Sequence, residues 1–194
     1  SPGSEYYRVV DYKTGKKDFD YCDVFNGVGL QMLLYLFALK KSGSSLLGEH
    51  SIPAGVQYFP ARVRYISTDG VPEPEQIEKE RQKDWKRQGL LLNDRAVLDA
   101  MEPGEEKKRL PVKEKKGELT GYLADRQQMQ LLEGYILRVL GELVEDIASG
   151  NVQPNPYTRG SSHNACRFCP YGQVCHSDSV AGGRHYKALP LPGG

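Results

Sequence analysis

A short apolar run near the start of the chain ends in two opposite charges, and this pattern constrains the fold most. Val9 and Val10 lead directly into Asp11, and Lys13 follows two residues later. Such a run is typical of a β-strand, in which side chains at positions i and i+2 point to the same face. The sequence therefore predicts a strand over residues 5–12, with the side chains of Asp11 and Lys13 converging at its end.

An acid and a lysine held side by side suit the cleavage of a phosphodiester. A carboxylate can hold a divalent cation, and an ammonium group stabilises the negative charge that develops during the reaction. The same two charges can also stand at a strand end simply because water surrounds it. Asp11 and Lys13 alone therefore do not decide between a catalytic site and a solvated strand end.

A second polar pair favours the catalytic interpretation. Gln31 and Tyr35 are four residues apart in an otherwise apolar segment, so they share one face of the helix predicted there. Polar groups on such a helix need partners when they are buried. Either both side chains point into a cleft with Asp11 and Lys13, where they orient a DNA strand or the attacking water, or both reach the protein surface.

Three of the four cysteines lie within ten residues near the C-terminus: Cys166, Cys169 and Cys175. A CxxC turn lets two sulfurs reach one metal ion or cluster, and a third cysteine nearby favours metal ligation over a disulfide framework. The fourth ligand could be Cys22, His163 or His176. Zinc accepts three cysteines and a histidine, whereas a [4Fe–4S] cluster usually requires a fourth cysteine.

The length and charge of the chain limit its domain number, its location and its possible partners. The chain has 194 residues, 39% of them hydrophobic, which suffices for one domain with a single core. No apolar stretch reaches the roughly 20 residues that cross a membrane, and no signal peptide is recognisable. A cytoplasmic location without membrane attachment is therefore expected. The net charge of +1 neither requires nor excludes nucleic acid as a partner.

Hydrophobic periodicity predicts an α/β fold, a small mixed sheet flanked by helices. The sheet carries Asp11 and Lys13. Helices are predicted over residues 24–41, 73–88, 94–101 and 125–149, and a second strand over residues 54–66. We treat residues 1–194 as one domain, with a charged, mobile insertion over residues 102–116 and an irregular cysteine loop over residues 154–177.

Several runs of this sequence resemble the RecB-like PD-(D/E)XK nuclease superfamily, and within it the C-terminal nuclease domain of AddB, the second subunit of the bacterial AddAB helicase–nucleases. The runs are VVDYKTG (9–15), GLQMLLY (29–35), PAGVQYF (53–59), KRQGLLLNDRAVLDAM (86–101) and the three-cysteine loop. The similarity covers nearly the whole chain except the charged insertion and the last few residues. It implies a restriction-endonuclease-like core.

The resemblance also implies roles for the matched positions. Asp11 corresponds to the second metal-binding acid, which holds Mg²⁺, and Lys13 to the catalytic lysine. Gln31 and Tyr35 correspond to the Q-X3-Y motif of RecB-like nucleases. The implied ligands of a [4Fe–4S] cluster are Cys166, Cys169 and Cys175. The implied activity is that of a metal-dependent DNA exonuclease that works with an AddA-like helicase–nuclease subunit in double-strand-break processing and recombinational repair.

Two features depart from the family pattern. In the family, the first metal-binding acid lies on a strand just upstream of the Asp-X-Lys strand, and the chain begins at Ser1, four residues before that strand. The fourth cluster cysteine of the family also lies far upstream, so Cys22 does not match it. We therefore expect an N-terminally truncated nuclease domain that holds half of a metal site and three cluster ligands, and that is inactive or nearly so by itself.

Two other functions stay open. The first is a stand-alone RecB-like exonuclease of the CRISPR-adaptation type, which also ends in a three-cysteine loop; the run over residues 86–101 favours AddB instead. The second is a non-catalytic module that binds DNA or a partner subunit and uses its metal only structurally. Asp11 and Lys13 beside Gln31 and Tyr35 argue against this module, because binding alone needs no acid–lysine pair.

Overall fold

The fold is described from a computed structural model. The residues it describes are 5–15, 17–48, 50–61, 65, 70–104, 106–115, 117–153, 155–159, 164–175 and 184–185. The candidate ligands His163 and His176 lie outside these residues, as do residues 62–64 and 66 at the end of the second predicted strand.

Strands and helices alternate along most of the described chain. The strands are β1 (Tyr6–Lys13), β2 (Ile52–Pro60), β3 (Gln88–Leu92), β4 (Val112–Lys115), β5 (Glu118–Gly121), β6 (Leu123–Ala124), β7 (Tyr157–Thr158) and β8 (Arg184–His185). The helices are α1 (Tyr21–Phe25), α2 (Gln31–Ser42), α3 (Ser44–Leu47), α4 (Pro74–Asp84), α5 (Arg95–Met101), α6 (Arg126–Ala148) and α7 (Gly172–Cys175).

The chain divides into two compact units. The first consists of Ser1–Phe19 and Leu30–Ile136, and it contains β1 to β6. The second consists of Asp20–Gly29 and Leu137–Gly194, and it contains α1, α7 and all four cysteines. The single nuclease domain predicted over residues 1–194 stays a prediction.

A four-stranded mixed sheet forms the centre of the first unit, in the order β1-β2-β3-β6. β1 and β2 run parallel, β2 and β3 antiparallel, and β3 and β6 parallel. This arrangement confirms the predicted α/β class with a small mixed sheet. β1 lies at the edge, so the strand that carries Asp11 and Lys13 pairs on one side only within the described residues.

α2 makes the return connection between the parallel strands β1 and β2. Its buried residues are Met32, Leu33, Leu36 and Phe37, and it packs against both strands. A connection between parallel neighbours must run back from the end of the first strand to the start of the second. The N-terminus of α2, at Gln31, therefore lies at the same end of the sheet as Lys13.

The single helix predicted over residues 24–41 is wrong at its N-terminal end, because α1 and α2 are separate helices. Between them, Gly27 and Gly29 have φ angles of 77° and 71°, a left-handed conformation that favours glycine and ends a helix. The periodicity did not show this break because Val28 continues the apolar pattern across it.

Part of the insertion predicted over residues 102–116 packs onto the core. Leu110 and Val112 are almost completely buried in a cluster with Leu91 and Leu98. β4 and β5 pair as an antiparallel hairpin, and most of their side chains are exposed. The charge of this segment led to the expectation of a mobile loop, and that expectation overlooked the two apolar residues that attach it to the core.

α6 matches the long helix predicted over residues 125–149, but its apolar face is buried only in the first half. The buried residues are Met129, Leu132 and Ile136. In the second half, Val144 and Ile147 are exposed, although the pattern placed them on the same apolar face. Within the described part of the chain, no helix is both long enough and apolar enough to cross a membrane.

Candidate active site

Asp11 and Lys13 form an ion pair at the end of β1. The Nζ atom of Lys13 lies 2.5 Å from the Oδ2 atom of Asp11, and their side chains are 36% and 29% exposed, respectively. The two residues share a face because they are two positions apart on one strand. The structure therefore brings the two charges together in a place that is partly shielded from water and still open to a ligand.

Tyr58 of β2 lies beside this ion pair. It is the register partner of Asp11 in the parallel pairing, it is only 7% exposed, and the centroid of its ring lies 5.9 Å from the Nζ atom of Lys13. An aromatic ring at this distance attracts a cation, so Tyr58 helps to hold the ammonium group. No local pattern in the sequence identifies Tyr58, because the register of β1 against β2 cannot be read from the sequence.

Gln31 and Tyr35 lie on the exposed face of α2. The Nε2 group of Gln31 donates a hydrogen bond of 3.0 Å to the hydroxyl oxygen of Tyr35, and Tyr35 is 51% exposed. Among the described residues, no hydrogen bond or ion pair joins this pair to Asp11 or Lys13. The two pairs lie at the same end of the sheet, but each is internally bonded, and both members of the α2 pair reach the surface.

The opposite face of the sheet carries a cationic and aromatic cluster. Arg8 donates a hydrogen bond of 2.8 Å to the Oε1 atom of Gln57, which is fully buried. The guanidinium carbon of Arg87 lies 4.0 Å from the ring centroid of Phe59. Burial, followed by the positive charge of Arg8, lowers the pKa of Arg87. No local pattern in the sequence identifies this cluster, because Arg8 and Arg87 come to the same face only through strand pairing.

Asp11 is the carboxylate that the ion pair with Lys13 places at this site. Within them, no three histidine, cysteine, aspartate or glutamate side chains lie close enough together to hold a metal ion. Mg²⁺ prefers oxygen ligands, keeps several waters and is commonly bound by one or two carboxylates together with substrate phosphates. Asp11 fits this donor chemistry as one ligand.

The cysteine loop belongs to the second unit, and all three of its thiols are exposed. The amide N–H of Cys169 donates to the carbonyl oxygen of Cys166 at 3.1 Å, which closes a turn. The described residues do not bring these thiols and that of Cys175 together as one metal site. Ligation of a [4Fe–4S] cluster therefore stays a prediction from the spacing, and we derive no step through such a cluster.

Cys22 is half-buried in α1. Its amide N–H donates a hydrogen bond of 2.8 Å to the carboxylate of Asp20, which caps the helix. This position suits the small, partly buried thiol that the sequence indicates. Within the described part of the chain, Cys22 belongs to no group of side chains that could hold a metal ion.

Comparisons with known proteins identify relatives over almost the whole chain. An ATP-dependent helicase/deoxyribonuclease subunit of Clostridium kluyveri is 35% identical over 191 residues, which are 95% of this chain and 16% of the relative. The subunit of the same name in Moorella thermoacetica is 38% identical over 197 residues, or 98% of this chain and 17% of the relative. The chain thus spans about a sixth of the length of these curated relatives.

The sequence profile of the PD-(D/E)XK nuclease superfamily matches residues 2–176. This match includes β1 with Asp11 and Lys13, α2 with Gln31 and Tyr35, and the three cysteines near the C-terminus. The match covers most of the chain, and the mixed sheet agrees with it. The chain therefore belongs to the PD-(D/E)XK nuclease superfamily.

Proposed function

We propose that this chain is the nuclease part of a helicase–nuclease subunit, and that it hydrolyses DNA phosphodiester bonds with Asp11, Lys13 and Mg²⁺. The observation that carries the proposal is the ion pair at the end of β1, in a chain of a nuclease superfamily. The relatives are named as subunits of an ATP-dependent helicase/deoxyribonuclease, which supports DNA as the substrate. The resemblance to AddB supports an exonuclease that works with an AddA-like subunit on double-strand breaks in the cytoplasm.

Asp11 and Lys13 act together on the reacting phosphate. Bound Mg²⁺ would supply an activated water and positive charge at that phosphate, with Asp11 as one of its oxygen ligands. In the free chain, the carboxylate of Asp11 neutralises Lys13. A phosphate competes with Asp11 for the ammonium group, so substrate binding frees the carboxylate for the cation. Lys13 then donates a hydrogen bond to a phosphate oxygen and stabilises the charge that develops there.

Gln31 and Tyr35 orient the DNA strand near this site. Because Gln31 donates to the hydroxyl oxygen of Tyr35, the hydroxyl proton of Tyr35 stays available for an acceptor outside the pair. The N-terminal end of α2 adds a positive partial charge in the same region. These groups suit contact with a phosphate or a sugar oxygen beside the reacting phosphate.

A second carboxylate completes the metal site in this proposal. The resemblance assigns it to a strand that precedes β1. β1 forms the edge of the described sheet, and an edge strand presents backbone groups that can pair with a further strand. A strand added at this edge would bring a carboxylate beside Asp11. The 194-residue chain by itself should therefore cleave DNA weakly or not at all.

The proposal is tested by the cleavage of end-labelled DNA in Mg²⁺, with the longer subunit that carries this chain. Asp11→Asn should lower the cleavage rate at least about 100-fold, because it removes an electrostatic partner of the transition state. Asp99→Asn is the matched control, since Asp99 is an acid that pairs with Lys107 outside the site. An Asp11→Asn variant that cleaves like the unmodified protein would overturn the role of Asp11, whereas an unmodified subunit that binds DNA without cleaving it would favour the non-catalytic binding module.

A further inference from the structure

A groove of about 450 Å³ opens at the end of the sheet where β1 and β2 end and β3 begins. Lys13 lines it together with Phe59 and Pro60 of β2 and Gln88 of β3. Ligands of α/β folds commonly bind in crevices at the carboxyl ends of parallel strands. The groove lies within the first unit and shares Lys13 and Tyr58 with the candidate active site.

Positive charge is concentrated in this groove. Four lysines line it: Lys13, Lys17, Lys83 and Lys86. They come from the end of β1, the turn after it, the last turn of α4 and the segment before β3. Its lining also includes two aspartates, Asp18 and Asp84. The lining therefore carries more positive than negative charge, although the chain as a whole has a net charge of only +1.

For two of the four lysines, no ion pair within the described residues explains their place beside the groove. Lys83 lies in the last turn of α4, where a cation stabilises the helix, and it pairs with Glu80 at 2.5 Å. By contrast, Lys17 and Lys86 lie outside the helices, and within the described residues neither forms an ion pair. Both are partly buried. Ammonium groups held beside one cavity repel each other, and an anion bound there would offset that repulsion.

We propose that this groove binds the sugar–phosphate backbone of one DNA strand, and that Lys17 and Lys86 contact the phosphates next to the one held at Lys13. The inference rests on the proposed function and adds the path of the strand. Lysine binds phosphate as a point charge, and phosphate contacts fix the position of a strand without reading its sequence. The groove should therefore accept any base sequence.

The size of the groove suits a single strand. Its volume of about 450 Å³ lies within the range of roughly 300–1,000 Å³ that is typical of pockets for small ligands. A cavity of this size has room for one or two nucleotides. The groove is therefore assigned to an unpaired strand, and competition by an unlabelled duplex tests that assignment.

Binding is measured by fluorescence anisotropy of a labelled single-stranded oligonucleotide with the 194-residue chain, in EDTA so that no cleavage occurs. The test variant is Lys17→Ala/Lys86→Ala. The matched control is Lys79→Ala/Lys113→Ala, which removes the same charge from two exposed positions that do not line the groove. Thermal melts followed by circular dichroism establish that each variant folds. Inorganic phosphate and an unlabelled duplex serve as competitors.

The control should bind like the unmodified chain. The groove variant should bind about five- to tenfold more weakly near 0.2 M salt, and the slope of log K against log salt should fall by about 1.4, as expected for the loss of two single-strand phosphate contacts. The unlabelled duplex and inorganic phosphate should both compete poorly. Equal losses in both double variants, unchanged binding in the groove variant, no binding by the unmodified chain, or strong competition by inorganic phosphate or by the duplex would overturn the proposal.

These outcomes are separate from those for the proposed function. If Asp11→Asn abolishes cleavage while the groove variant binds and cleaves normally, the groove proposal fails and the nuclease proposal stands. If the groove variant alone loses binding and no divalent cation supports cleavage by the longer subunit, the nuclease proposal fails and the strand-binding groove stands.

Discussion

The hydroxyl group of Tyr7 donates a hydrogen bond of 2.8 Å to the carbonyl oxygen of Leu36, and both residues are buried. This bond joins the beginning of β1 to the middle of α2. The bond helps to set the position of α2 along β1. It thereby affects where Gln31, at the N-terminus of α2, lies relative to Asp11 and Lys13.

Tyr7→Phe should lower the free energy of unfolding by about 1 kcal/mol, because it removes one buried hydrogen bond while keeping the ring. Chemical denaturation at neutral pH measures the change. Tyr12→Phe is the control: Tyr12 is 70% exposed on the same strand, so its loss of a hydroxyl should cost less than about 0.5 kcal/mol. Equal effects of the two substitutions would show that the bond to Leu36 contributes nothing specific.

The same hydroxyl group makes stability depend on pH in the alkaline range. Burial, followed by the negative charge of Glu133, raises the pKa of Tyr7 from 10.0 to about 12. Because the folded chain holds this proton more tightly than the unfolded chain, the contribution is complete below pH 10 and is lost as the pH rises towards 12. Unfolding of the unmodified chain across this range should show a loss of stability that Tyr7→Phe lacks. Identical slopes would contradict this account.

The second unit contains an acid-sensitive ion pair between Asp20 and Arg159. Burial acts to raise the pKa of Asp20, but hydrogen bonds from Arg159 and from the Cys22 amide outweigh it, so the pKa lies below its usual value. The Nη1 atom of Arg159 lies 2.7 Å from the carboxylate of Asp20. The stabilisation is thus present above the unfolded pKa of about 3.9 and is lost as the pH falls through the folded pKa.

Arg159→Ala should move the pKa of Asp20 upward, which an NMR titration of the carboxyl group measures directly. Arg138→Ala is the control, since Arg138 pairs with Glu142 on α6 instead. The control should leave the Asp20 titration unchanged. A titration of Asp20 that is the same in both variants would show that Arg159 does not set its pKa.

Leu110→Ala should lower the free energy of unfolding by about 2–5 kcal/mol, because it opens a cavity beside β3 and α5. The side chain of Leu110 is fully buried against Leu91 and Leu98. Leu46→Ala, at a position that is 80% exposed, should change stability by less than about 0.5 kcal/mol. Urea titration measures both. A small effect at Leu110 would mean that the segment is attached loosely, as its charge alone suggests.

The spacing of Cys166, Cys169 and Cys175 predicts an iron cofactor. Anaerobic purification of the longer subunit, followed by metal analysis and a visible spectrum, should show iron that is lost in Cys169→Ser, because thiolates hold such clusters. Cys22→Ser should retain the iron, since Cys22 is a half-buried residue of α1 that does not match the fourth cluster cysteine of the family. Stoichiometric zinc in place of iron would instead favour a structural metal.

Periodicity predicted the parts of the fold that have a strong local signal. α6 follows from the apolar positions that recur along it, and β1 from its short apolar run. Periodicity did not predict the break between α1 and α2, because this break depends on the left-handed backbone of Gly27 and Gly29. β3 carries a continuous buried run, Leu90 to Leu92, and such a run has no alternation that distinguishes a strand from a buried helix.

The residues of the candidate site, like the elements of the fold, could be predicted from the sequence only in part. The spacing of Asp11 and Lys13 places them on one face of a strand, and that of Gln31 and Tyr35 on one face of a helix, so both pairs follow from local geometry. Tyr58 depends on the register between β1 and β2. The groove depends on where three separate segments end, and no local pattern in the sequence carries that information.

Single-turnover cleavage of DNA by the longer subunit in Mg²⁺ tests most directly whether Lys13 stabilises the reacting phosphate. Lys13→Ala should lower the rate by about 100- to 1,000-fold, as removal of one transition-state donor does elsewhere, while DNA binding falls only slightly. Lys113→Ala, an exposed lysine on β4, should leave the rate unchanged. A Lys13→Ala variant that cleaves at the rate of the unmodified protein would contradict the account.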